Sequence, residues 1–107
     1  MEIHFDEELK LLKQKLLQMG DISQEMIGLS IQSLVQRKNA FAQEVFGLEV
    51  KVNHMEIEIE DEVLRLMARR QPAAKDLRLL TAILKINNDL ERVADQAVNI
   101  AEIAVDL

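Results

Sequence analysis

Pro72 is the sole proline in 107 residues and only three glycines accompany it, so a chain with helical periodicity almost from end to end has few places to turn. Phe5, Leu9, Leu12, Leu16 and Met19 recur every three or four residues and continue into Met26, Ile27, Ile31 and Leu34, which predicts a first helix over 5–36. Gly20 and Gly28 each cost that helix about 1 kcal/mol relative to Ala. They admit a bend near Gly20, but nothing there reads as a stop, and the helix is expected to be continuous. Residues 36–39 are the first polar run without periodicity, and Asn39 is the expected N-cap of a second helix over 40–70. Arg69 and Arg70 complement the negative end of that helix. Pro72 disfavours helix at Gln71 while suiting a new first turn, so a third helix is expected over 73–107. Helices of about 30 residues are roughly 45 Å long, and short connections between them force an all-α, antiparallel up-down-up three-helix bundle.

Composition bounds the functions open to such a bundle. A formal charge of −6 argues against nucleic acid and against docking on anionic lipid, both of which need a clustered basic face. No apolar stretch approaches the length of a membrane span or a signal-peptide core, and without cysteine there is neither a disulfide framework nor thiolate chemistry. A cytoplasmic location is the default expectation. The last residues, 101–107, keep helical rhythm without a stop signal, so a second half is expected beyond them. A half-protein exposing the interface of a missing domain is expected to form a homodimer.

The second helix carries an acidic stripe. At 100° per residue Glu49, Asn53, Glu56 and Glu60 share one narrow row, flanked by Phe41, Leu48, Val52, Met55, Ile59 and Val63 on one side and by Phe46, Val50, Ile57 and Leu64 on the other. Such flanking predicts that the row does not face open water. Glu91, Asp95 and Glu102 form a second row on the third helix, beside Asn88 and Asn99. Two half-buried carboxylate rows repel unless cations sit between them. Glu91 and Asp95, four apart, can offer oxygens to one cation, and Glu49 on the antiparallel neighbour can close the site. Oxygen-only ligands select hard ions such as Mg²⁺, Mn²⁺ or iron. The rival reading is a solvated helix face, the usual fate of Glu on helices, and Arg92 is available to neutralise a carboxylate.

No catalytic constellation accompanies these rows. His4 and His54 lack metal-ligand spacing, no Glu-x-x-His pair of the ferritin type is present, and no Ser lies in a strand-turn-helix elbow. Met19, Met26, Met55 and Met67 fall at core spacing. An all-α Mg²⁺-dependent nucleotide pyrophosphohydrolase is the enzyme alternative, but the dominant carboxylate spacing of four and the Lys and Arg on other faces support it poorly. A purely structural, self-associating helix bundle is the third reading.

Three segments, Lys51-Val52-Asn53-His54-Met55-Glu56, Arg70-Gln71-Pro72-Ala73-Ala74-Lys75-Asp76-Leu77-Arg78 and Leu90-Glu91-Arg92-Val93-Ala94-Asp95, together resemble the signatures of the PhoU family in order and spacing. The stretch from Arg70 to Arg78 is the most specific. The resemblance implies the first of two tandem three-helix domains in a cytoplasmic, non-enzymatic regulator of phosphate uptake and phosphate-starvation signalling. It further implies an adaptor between the ATPase subunit of a phosphate ABC transporter and a sensor histidine kinase. The family's acidic motif, which binds metal clusters in some members, maps to Glu49 with Asn53 and to Glu91 with Asp95. Asn53 departs from the all-acidic version; its carbonyl oxygen brings no charge, which weakens the expected hold on Fe, Mn or Mg.

Overall fold

Among the described residues three helices, α1 (Glu2–Gln36), α2 (Asn39–Arg70) and α3 (Ala74–Asp106), make up the fold. The computed structural model describes the backbone of residues 2–107 and the side chains from His4 onward. Helix α1 starts before Phe5, because a polar first turn carries no periodicity from which to read it. Asn39 is not the N-cap. Lys38 takes that position in extended conformation (φ −113°, ψ 114°) without a side-chain cap bond, and the Phe41 N–H donates to the Lys38 carbonyl at 3.2 Å. At the second turn Gln71 adopts the left-handed conformation (φ 44°, ψ 61°) as the C-cap of α2. Pro72 therefore stays outside α3, and Ala73 caps it (φ −60°, ψ 162°), its carbonyl accepting from the Leu77 N–H at 2.9 Å.

Cross-helix bonds fix directions and register. Glu8, near the start of α1, is bonded to Arg65 at 2.6 Å and to Arg70 at 2.5 Å near the end of α2, so these helices run antiparallel. Ser23 Oγ donates to the Leu90 carbonyl at 3.3 Å, and Asn87 Nδ2 donates to the Glu56 carbonyl at 3.0 Å. The expected up-down-up bundle is thus formed, with every helix packed on the other two and extents of 54 × 17 × 16 Å. Helix α1 passes Gly20 without interruption; a Cβ there would meet only the Leu90 side chain, at 3.8 Å.

The core runs the length of the bundle. Leu12, Met19 and Met26 from α1, Val45, Val52, Ile59 and Leu66 from α2, and Leu80 and Ile83 from α3 are buried, while Ala94, Ala97, Ala101 and Ala104 let the neighbouring backbones approach the second half of α3. Met19, Met26 and Met55 are buried, and Met67 packs against the same core, as their spacing predicts. Asn87 lies among these residues with no exposure at all. It occupies the seven-residue repeat Leu80, Asn87, Ala94, Ala101, and its Oδ1 has no hydrogen-bond partner among the described residues.

Candidate functional site: an acidic groove between α2 and α3

The acidic rows of α2 and α3 meet. Asn87 ties the backbone of Glu56 to α3, and because the helices are antiparallel, residues C-terminal to Asn87 lie beside residues N-terminal to Glu56. Glu91 and Asp95 consequently sit opposite the turns that carry Glu49 and Glu56. The electrostatics follow this placement. Glu91 is pushed up to about 7, first by burial, then by a hydrogen bond shared with Asp95 and by the charges of Asp95, Glu56 and Glu49. Burial also raises Glu56, with Glu60 and Asp95 adding to it. Like charges at close range in a partly desolvated groove disfavour the ionised form.

The groove is less enclosed than the flanking pattern implies. Glu49, Glu56 and Glu91 are half-buried, whereas Asn53, Glu60, Asp95 and Glu102 are exposed. One flank, Val52, Met55, Ile59 and Val63, is core, but on the other Val50, Ile57 and Leu64 are 58%, 59% and 51% exposed. The row therefore lies at the edge of the core and is not shut between two buried faces. The reason is that α2 has only two bundle neighbours, too few to cover apolar residues around most of its circumference. Among the described residues no ion pair involves Arg92 or any groove carboxylate.

The expected donors are thus unevenly assembled. Glu49, Glu91 and Asp95 share the groove, and Asn53 stands exposed one turn from Glu49. Their oxygens suit a hard cation. Among the described residues, however, no three His, Cys, Asp or Glu side chains are gathered closely enough to hold one ion. Glu91 and Asp95 are the two carboxylates here that could offer charge to a cation, and solvent would have to complete its shell. His54 and His4 are exposed.

Two features escape a reading of the sequence. Asn87 is legible in hindsight, since its seven-residue spacing from Leu80 and Ala94 marks a core position. The other is the cluster of Glu8, Glu62, Arg65 and Arg70 at the far end from the groove. It holds the Glu8 carboxyl below its usual range through hydrogen bonds from Arg65 and then Arg70. No sequence spacing marks a pair 57 or 62 residues apart.

Fold and groove together define an all-α three-helix bundle domain with carboxylates along one helix-helix seam. Residues 16–104 match the PhoU domain model, and the chain belongs to the PhoU domain family. It is similar to the phosphate-specific transport system accessory protein PhoU homolog of Pseudomonas putida, 39% identical over 96% of this chain and 40% of that protein. The homolog 1 of Thermotoga maritima is 36% identical over 94% of this chain and 43% of the relative. The crystal structure of PhoU from Pseudomonas aeruginosa superposes with a TM-score of 0.94 at 38% identity, covering 96% of this chain and 49% of that one. The chain spans less than half the length of these relatives. No helix among the described residues is long and apolar enough to cross a membrane.

Proposed function

We propose that this chain is a cytoplasmic, non-enzymatic regulator of phosphate uptake. It acts as the adaptor through which a phosphate ABC transporter, by its ATPase subunit, signals to a sensor histidine kinase so that phosphate-starvation genes stay off when phosphate is plentiful. The observation that carries this reading is the match over 96% of the chain to a protein named as an accessory of phosphate-specific transport. The groove supports it as a partly desolvated, acidic surface along the α2–α3 seam. In this reading Glu91 and Asp95, with Glu49 and Asn53 opposite, hold a divalent or iron cation at one end of the groove, while Glu56 and Glu60 stay uncompensated, and two copies associate as a homodimer.

The test is phosphatase reporter activity at high phosphate in a strain lacking its own PhoU, complemented with this chain or with Glu91→Gln/Asp95→Asn. Restored repression by the wild-type chain is expected, with partial loss in the variant. A wild-type chain that accumulates normally yet leaves the reporter fully active overturns the regulatory reading; full repression by the variant removes the groove from the mechanism. Elemental mass spectrometry on the purified chain and the same variant reads the cation, and light scattering reads the dimer.

A further inference from the structure

Val50, Ile57 and Leu64 stand at exact seven-residue spacing on α2, all more than half exposed, and so form a straight apolar seam about 21 Å long. Exposed apolar residues scattered singly need no explanation. A heptad seam along one helix differs, because it is the pattern one helix offers to another. Beside it, on the α3 side, runs the acidic groove, where Glu56 feels the charge of Glu60, one turn along α2, and that of Asp95 across the seam on α3. The chain's own cations do not serve that groove. Among the described residues its ion pairs join Lys15 to Glu58, Arg65 to Glu8 and Glu62, Arg70 to Glu8, and Lys85 to Asp89.

We propose that the Val50–Ile57–Leu64 seam and the adjoining carboxylates of Glu56 and Glu60 dock a basic amphipathic helix of a partner protein. That helix lays apolar residues on the seam and Lys or Arg side chains along the groove. Charge selects this occupant over a second copy. When two copies of α2 pair antiparallel about a two-fold axis, the flank that carries the groove on one meets the same flank on the other, and carboxylate row opposes carboxylate row. An anionic lipid surface is repelled for the same reason. A helix with apolar residues at the matching spacing and a cationic flank satisfies both features, over some four turns. Charge complementarity of this kind sets orientation and the rate of encounter, while the apolar seam supplies most of the hold. The inference does not depend on the phosphate reading, since the reporter can fail while the peptide binds, and the reverse.

The probe is a fluorescein-labelled 18-residue amphipathic helix with Leu on the apolar face and Lys on the flank, titrated with the 107-residue chain by anisotropy in 0.1 M salt. A second peptide carries Glu in place of each Lys. Tighter binding of the Lys peptide by about tenfold or more is expected, with a similar loss in Ile57→Ser/Leu64→Ser and in Glu60→Lys. Leu17→Ser serves as the control; Leu17 is 70% exposed on α1, away from the groove, and its loss is expected to leave affinity unchanged. All substituted positions are exposed, and circular dichroism checks that each variant stays helical. Equal binding of both peptides overturns the proposal, as does unchanged affinity in the seam and Glu60 variants. A wild-type dimer by light scattering that Ile57→Ser/Leu64→Ser converts to monomer also overturns it, assigning the seam to a second copy.

Discussion

Among the described residues, Asn87 is the one fully buried side chain whose hydrogen-bonding capacity the core leaves half used. Its Nδ2 reaches the Glu56 carbonyl, but its Oδ1 has no partner, and an orphaned buried polar atom costs roughly 1–3 kcal/mol. Asn87→Leu, close in volume, removes the orphan and is expected to leave stability unchanged or raise it by about 1 kcal/mol in urea denaturation. Asn87→Asp retains the shape but buries a carboxylate beside the acidic groove, and a loss of about 3 kcal/mol at pH 8 is expected, recovering as the pH falls. A stabilising Asn87→Asp would mean that the site is wetter than the structure shows. Glu91 makes a second prediction at this scale. Unfolded, it titrates near 4.5; folded, near 7. Between those values the folded state holds more protons, so stability is full below the lower value and declines as pH rises through the upper one. Urea midpoints from pH 5 to 8 should fall by the equivalent of about 1–2 kcal/mol, allowing for solvent screening in a half-buried group. Glu91→Gln should flatten that slope and be the more stable chain at pH 8. The range stays above 4.5 because Glu8, lowered by Arg65 and Arg70, contributes stability that is lost only on further acidification.

At the scale of the helix, both turns are made by residues unsuited to them. Arg37 and Gln71 take positive φ, 58° and 44°, where a Cβ is strained and Gly is the usual solution. Arg37 is exposed and among the described residues makes no ion pair, so Arg37→Gly should stabilise the α1–α2 turn by about 0.5–1 kcal/mol, read as a higher thermal midpoint. No gain would mean that the entropy Gly adds to the unfolded chain cancels the relieved strain. Sequence reasoning finds these helices easily and their ends less well, and the residues show why. Spacing from Leu9 to Leu34 or from Val45 to Leu66 repeats over many turns and outweighs any single misfit, Gly20 included. A cap is decided by one dihedral pair. Asn39 has the chemistry of an N-cap, yet the chain closes one residue earlier on Lys38, whose carbonyl takes the Phe41 N–H. Likewise the left-handed Gln71, which nothing in its identity foretells, moves the start of α3 past Pro72 and Ala73.

At the scale of the whole molecule, periodicity brings Glu49, Glu91 and Asp95 to one seam, because antiparallel topology follows from helix length and short turns. What the sequence cannot convey is how far that seam stands open. The apolar residues beyond the row belong to an outward face that only the packing of α2 against α1 and α3 reveals. An open, repelling groove makes a prediction that the whole fold must answer. At pH 8 Glu91 is ionised beside Asp95, Glu49 and Glu56, and a divalent cation that binds only the assembled groove stabilises the fold by mass action, about 1.4 kcal/mol at ten times its dissociation constant. For a domain of this size that is a rise of roughly 4–8 °C in thermal midpoint. Millimolar Mn²⁺ should therefore raise the midpoint at pH 8, chelator should reverse the rise, and at pH 5.5 the rise should largely vanish, because protonated Glu91 then shares its proton with Asp95. In Glu91→Gln/Asp95→Asn the chain should ignore the ion at both pH values. A rise of equal size at pH 5.5, or in the double variant, would show that the cation acts elsewhere on an acidic surface and that the groove is not its site.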